Sequence, residues 1–317
     1  MEYATYKQLD QAVDELYATQ QFNEAIDLLT TGETLFPDHL YEILLYKFFL
    51  FMALEDHNGW LTALETMVDN HLFTGLEWEM FNPIRDNPRF TVIAANNAEL
   101  RAAAQEQAQM TVQVLTPANY TPEQAFPLFI ALHGDGHKVT DFIANYWPTE
   151  TILAQGFILV YVQSSQIVTS GGYGWTLDYA TTRADVNAAY EAVAAEYAID
   201  RENILIGGFS GGSIAAIEIA MADTIPVKGF VSLCPSLKPA SFTPENVASA
   251  AERGVRGVLF EGELEGDVPA EQEMVAVMCA AGFPYQFIIN PGIGHAAPAD
   301  FPQKLIDAIA FIDGSDA

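Results

Sequence analysis

The sequence predicts an α/β protein with a mostly parallel sheet, preceded by a small all-α helical-hairpin domain. Up to about residue 105, apolar residues recur only at three- and four-residue spacing, the period of an amphipathic helix. From about residue 110, short apolar runs alternate with helical stretches, as in a sheet covered on both faces. With 317 residues, of which 50% are hydrophobic, the chain has material for one large domain or two unequal ones.

The first region, 1–105, opens with a stripe of Leu9, Val13, Leu16 and Tyr17, then a second of Phe22, Ile26 and Leu29. Phe36-Pro37-Asp38 ends the second helix. Leu40–Leu54 is almost wholly apolar, so it is expected between neighbours, and a further helix runs from about Trp60 to Asp69. The first pair resembles a tetratricopeptide repeat, with Phe22, Ala25, Ile26 and Pro37 where that repeat carries its aromatic, small, aliphatic and terminal proline residues. Val13 stands where the repeat has glycine, and the next unit, around Gly59 and Trp60, departs from the pattern. A self-supporting stack needs three units, so the region is read as a helical-hairpin accessory domain. Pro83–Pro88 and the alanine-rich Ala94–Ala108 are expected to link it to the rest.

In the second region, 110–317, strands are predicted at Thr111–Leu115, Leu128–Leu132, Phe157–Val162, Ile204–Gly208, Gly229–Leu233, Val255–Phe260 and Gln286–Ile289. Their continuous apolar character fits strands buried on both faces. A helix over Asp185–Tyr197 carries Val186, Ala189, Tyr190, Val193 and Tyr197 on one stripe, and Phe301–Ile312 forms a last one. Sites in such sheets lie at the carboxyl ends of the strands.

Charge excludes some functions. Thirteen Lys and Arg against 42 Asp and Glu give a net charge of −29, which repels nucleic acid and anionic membranes. The two cysteines, Cys234 and Cys279, form neither a disulfide framework nor a metal-binding CxxC pair, which suits a reducing compartment. Met1–Asp14 is too polar for a secretory signal, and Ile43–Leu54 is too short to span a bilayer. A cytoplasmic protein is expected.

The chemistry gathers at three strand ends. Gly208-Phe209-Ser210-Gly211-Gly212 lies between the strand Ile204–Gly208 and a helix Ser213–Met221. A serine at such a corner projects its hydroxyl above the sheet, and flanking glycines let strand and helix approach closely. Ser210 is the candidate nucleophile. Of six histidines, only His295 lies downstream, in Pro291-Gly292-Ile293-Gly294-His295 past the last strand, so it is the candidate base. The orienting acid belongs between them, in Glu261-Gly262-Glu263-Leu264-Glu265-Gly266-Asp267-Val268-Pro269; Glu265 is favoured and Asp267 is the alternative. Oxyanion donors are expected from the amides of Gly211 and of Asp135, with Gly134 beside it, in Leu132-His133-Gly134-Asp135-Gly136. His133 is read as structural. Gly171-Gly172-Tyr173-Gly174-Trp175 either walls a substrate pocket with Tyr173 and Trp175 or is a glycine-rich turn with a buried tryptophan.

Together these residues resemble the α/β-hydrolase fold family over roughly 110–317, near esterases of the dienelactone-hydrolase, carboxylesterase and feruloyl-esterase type. In such relatives the acid loop reads Gly-x-x-Asp-x-x-Val-Pro. The corresponding residues here, Gly262 to Pro269, carry Glu265 at the acid position. The resemblance implies a serine hydrolase cleaving a small-molecule carboxylic ester, with no cofactor and no metal. Two alternatives stand beside it: a prolyl-oligopeptidase-type peptidase, and a partner-binding helical module with a secondary hydrolase site. The aromatics Phe48, Phe49, Phe51, Trp60, Phe73 and Trp78 fit a cover that limits substrate size, the hairpin's own core, or a face for self-association.

Overall fold

The computed structural model describes residues 3–265 and 269–314. Its contacts divide into two compact units, Met1–Gln107 with Val168–Gly171, and Ala108–Ile167 with Gly172–Ala317.

The first unit holds helices α1 (Tyr6–Ala18), α2 (Phe22–Leu35), α3 (Leu40–Ala53), α4 (His57–Asp69) and α5 (Pro88–Gln105). Thr5, Asp56 and Asn87 cap α1, α4 and α5 by accepting hydrogen bonds from first-turn amides. The apolar girth of α3 has a cause: it serves two cores. Ile43 and Leu50 pack with Leu9, Val13, Ala25 and Leu29, while Leu44 and Phe48 pack with Trp60, Leu64, Met67 and Phe81. The stretch expected as a linker is instead mostly α5, because alanine is the strongest helix former and Phe90 and Ile93 anchor that helix in the second core.

The second unit holds strands β1 (Thr111–Leu115), β2 (Phe126–Leu132), β3 (Ile158–Gln163), the first half of β4 (Gln166–Thr169), β5 (Gly172–Gly174), β6 (Ile199–Phe209), β7 (Gly229–Leu233), β8 (Arg256–Gly262) and β9 (Tyr285–Asn290). Between them lie helices α6 (Val139–Asn145), α7 (Thr149–Ala154), α8 (Tyr179–Glu196), α9 (Gly211–Met221), α10 (Pro244–Glu252) and α11 (Pro269–Ala280), and α12 (Phe301–Asp313) follows β9. Seven strands form one sheet in the order β1-β3-β2-β6-β7-β8-β9. Only β1 runs antiparallel to its neighbour; the other pairs are parallel. This is the α/β-hydrolase fold, with a helical region ahead of it.

Period-two alternation feeds two cores. Leu128, Ile130 and Leu132 of β2 face one side with α8, α9, α10 and α11, and Phe129 and Ala131 face the other with α6, α7 and α12. Every residue of α9 is buried. Two features of the strands escape the sequence reading. β6 starts five residues before the predicted strand, with a register shift opposite Phe126/Leu128, and β4 and β5 form a separate two-stranded sheet. No helix among the described residues is long and apolar enough to cross a membrane.

Candidate active site

Ser210 sits between β6 and α9 with φ 53° and ψ −122°. A serine there bears about 1–3 kcal/mol of backbone strain, which the surroundings must hold in place. Its N–H donates to Leu233 O at 2.9 Å, and its carbonyl accepts from the Ser213 and Ile214 amides of α9. The corner is tight: a Cβ on Gly208 would lie 2.5 Å from the Gly212 carbonyl carbon, and one on Gly212 would lie 2.3 Å from Leu132 O. Both positions therefore exclude a side chain.

His295 lies in the loop after β9. Its Nδ1 is 3.1 Å from Glu265 Oε1, and its ring centroid is 4.9 Å from that of Phe209, the residue preceding Ser210. Ser210 Oγ and the imidazole are not hydrogen-bonded to each other among the described contacts.

Adjacent parallel strands bring the acid and the histidine together. β8 and β9 are in register from Gly257↔Tyr285 to Gly262↔Asn290, and the loops beyond them are stitched. Leu264 N–H donates to Ile293 O at 2.8 Å, Gly292 N–H donates to Glu263 Oε2 at 2.8 Å, and Asn290 Nδ2 donates to Glu261 O at 3.0 Å. The acid loop also runs so close to the histidine loop that a Cβ on Gly262 would meet Gly294 O at 2.4 Å. Of the two sequence candidates, Glu265 thus faces the imidazole; Asp267 lies outside the described residues.

Glu261 and Glu271 are both buried, and neither is paired with a cation among the described residues. Glu261 Oε1 accepts its neighbour's Gly262 N–H and the Cys234 thiol lies against the same carboxyl, while neither oxygen of Glu271 has a partner from another residue among the described residues. Burial pushes the Glu261 carboxyl up to about 7, with Glu271 and Glu265 adding to the rise. Burial also raises Glu271 and the Cys234 thiol.

Of the two amides expected as oxyanion donors, that of Asp135 lies in the loop after β2 and that of Gly211 opens α9. Neither the Asp135 amide nor the Gly211 amide donates a hydrogen bond to an acceptor among the described residues. The Asp135 side chain, which the sequence did not single out, accepts from Trp175 N–H at 2.7 Å and from Thr176 Oγ1. Burial pushes its carboxyl up, and these bonds pull it back. His133 is fully buried, its Nδ1 against Gly134 O at 2.8 Å and its Nε2 facing Ser164 N–H and Gln163 Nε2. Burial lowers it to about 4, so it is a neutral structural imidazole. His137 stands beside Tyr146 and Phe209, and Tyr146 in turn stacks on Phe209 at 4.7 Å.

Trp175 differs from one of its two expectations. Its side chain has no exposed surface, and its Nε1–H donates to His133 O at 2.9 Å, so the ring braces the loop after β2 from the core and does not wall a pocket. Tyr173 is half-buried; its backbone exchanges hydrogen bonds with Gly136 and His137, extending the hairpin onto the same loop. The described residues include no group of three or more His, Cys, Asp or Glu side chains that could hold a metal ion.

No family model matches the chain, and no curated protein sequence matches it. Solved structures do. An uncharacterized protein from Bacillus cereus ATCC 10987 is 22% identical over 98% of this chain and 100% of its own, with a TM-score of 0.56. Esterase PE8 is 20% identical over 65% of this chain and 99% of its own, with a TM-score of 0.50. A Bacillus cereus carboxylesterase is 17% identical over 68% of this chain and 99% of its own, also with a TM-score of 0.50. At these identities the likeness establishes the fold: the strands and helices around Ser210 are arranged as in an α/β-hydrolase.

Proposed function

We propose that the chain is a serine hydrolase that cleaves carboxylic esters of small molecules through an acyl-enzyme. The observation that carries this is the line Glu265–His295–Phe209: a carboxylate 3.1 Å from Nδ1, on an imidazole packed against the residue next to Ser210. With Nδ1 directed at Glu265, Nε2 is the nitrogen left to take the Ser210 proton.

Ser210 Oγ attacks the ester carbonyl as His295 accepts its proton. The tetrahedral oxyanion is met by the Gly211 and Asp135 amides, each worth about 3–4 kcal/mol in such sites. His295 returns the proton to the departing alcohol, and the acyl-enzyme is then hydrolysed by water activated in the same way. The half-buried Tyr173 borders the loop that holds the carbonyl, and it is the residue assigned to the pocket wall. The esterases among the structural neighbours support an ester as the substrate. Turnover of short p-nitrophenyl esters, lost in Ser210→Ala, tests the proposal; a Ser210→Ala variant that retains turnover contradicts it.

A further inference from the structure

The carboxylate of Asp135 occupies an unusual place. A Cβ built on Gly211 would stand 2.1 Å from Asp135 Oδ1 and 2.2 Å from its carboxyl carbon, so the acid lies directly on the residue after Ser210. One of its oxygens accepts Trp175 N–H and the other accepts Thr176 Oγ1. The same segment is fastened to the loop three times more, by Gly136 N–H to Tyr173 O at 2.8 Å, by Tyr173 N–H to His137 O at 3.0 Å and by Trp175 Nε1–H to His133 O at 2.9 Å. A Cβ on Gly172 would meet Gly136 O at 2.2 Å, so the glycine-rich stretch permits this approach.

We infer that the Asp135 side chain is a positioning residue that sets the separation of the two oxyanion amides, its own and that of Gly211. This rests on the hydrolase reading above. Residue 135 contributes in two ways: its N–H is the donor, and its side chain ties that donor to the 175–176 segment while resting on the second donor's α-carbon. A carboxylate is suited to the task because it accepts from a backbone N–H and a hydroxyl together. An asparagine can do the same, accepting the amide through Oδ1 and donating to Thr176 Oγ1 through Nδ2. An aliphatic side chain of similar size fills the space but holds neither partner.

The loss expected from a displaced oxyanion donor is in kcat, since the donors act on charge that develops only in the transition state. A misplacement of about 1 Å costs on the order of 100-fold.

The test uses the full chain and three variants, Asp135→Leu, Asp135→Asn and Thr176→Val, with p-nitrophenyl butyrate as substrate. A fluorophosphonate titrates Ser210, so kcat is counted per reactive site and unfolded protein drops out. Asp135→Leu is expected to lose about 100-fold in per-site kcat with KM within about twofold, and Asp135→Asn to recover most of that loss. Thr176→Val is expected to fall between them, at about 5–10-fold, and it decides the matter if Asp135→Leu yields no titratable protein. A per-site kcat within about twofold of the natural chain, in Asp135→Leu or failing that in Thr176→Val, overturns the positioning role and leaves the hydrolase reading intact. So does a loss that Asp135→Asn shares in full. Absence of labelling at Ser210 in the natural chain overturns both.

Discussion

The rings of Phe209 and His295 are in tilted contact, with centroids 4.9 Å apart and an interplanar angle of 49°. Phe209 is the last residue of β6 and His295 lies beyond β9, at opposite sides of β7 and β8 in the sheet order. The loop after β9 therefore reaches back across two strands, and the imidazole lands on the ring that immediately precedes the strained serine. Glu265, at the end of the strand beside β9, completes the line from the other side of the imidazole.

In the proposed mechanism Glu265, 3.1 Å from His295 Nδ1, is the orienting acid. Glu265→Gln keeps the shape and loses the charge that favours the proton on Nδ1, and kcat is expected to fall by about 10²–10⁴-fold. Asp267→Asn is expected to change kcat far less. Steady-state kinetics on the two purified variants distinguishes them, and the reverse order assigns the role to Asp267.

The close approach at the corner predicts intolerance of a single methyl group. Gly208→Ala drives a Cβ into the Gly212 backbone at 2.5 Å, where no flexible side chain can move aside. A loss of about 1–3 kcal/mol or more is expected in urea unfolding, together with loss of ester turnover. Unchanged stability would mean that β6 and α9 are less tightly packed than described.

Glu218 on α9 is fully buried, paired with Arg183 of α8, and accepts Ser241 N–H and Ser241 Oγ at 2.7 Å each. It ties the helix that follows Ser210 to two neighbouring segments. Arg183 keeps 36% of its side chain exposed, so water can receive its charge when the partner is removed. Glu218→Ala is accordingly expected to cost about 2–3 kcal/mol, mainly through the orphaned Ser241 donors, and Glu218→Gln less. Thermal and urea denaturation of the two variants checks the order.

The Glu261 carboxyl, raised from 4.5 to about 7, makes stability depend on pH. Between these values the folded chain holds a proton that the unfolded chain has released, so the slope of unfolding free energy against pH is negative there. The contribution is whole below about pH 4.5, declines as pH rises through about 7, and is absent above. Glu261→Gln is expected to flatten that decline and to raise stability at pH 8 by about 2 kcal/mol. Urea midpoints at pH 5 and pH 8 for the natural chain and the variant measure this; equal slopes in both contradict it.

Much of this was legible in the residues, and the gaps have physical causes. β2, β3, β7 and β8 announced themselves because burial on both faces demands continuous apolar runs. After Ile199, the next four residues of β6, Asp200 to Asn203, are polar and only partly covered, so no hydrophobic pattern marks them. β4 and β5 are four and three residues long, and glycine occupies two positions of β5; packing rather than propensity makes them strands. α8 begins six residues before the predicted helix, although Asp178 caps it by accepting from the Ala180 and Thr181 amides. At the site, the glycine spacing around Ser210 and the position of His295 could be read directly. The Asp135 carboxylate could not, because its partners, Trp175 and Thr176, lie forty residues away and meet it only through the β4–β5 hairpin.

The most direct measurement is intact-mass and peptide analysis after reaction with a fluorophosphonate. The account predicts a single adduct on the peptide containing Ser210, absent in Ser210→Ala and formed far more slowly in His295→Ala. An adduct on another residue, or none on a chain that still turns over esters, would contradict it.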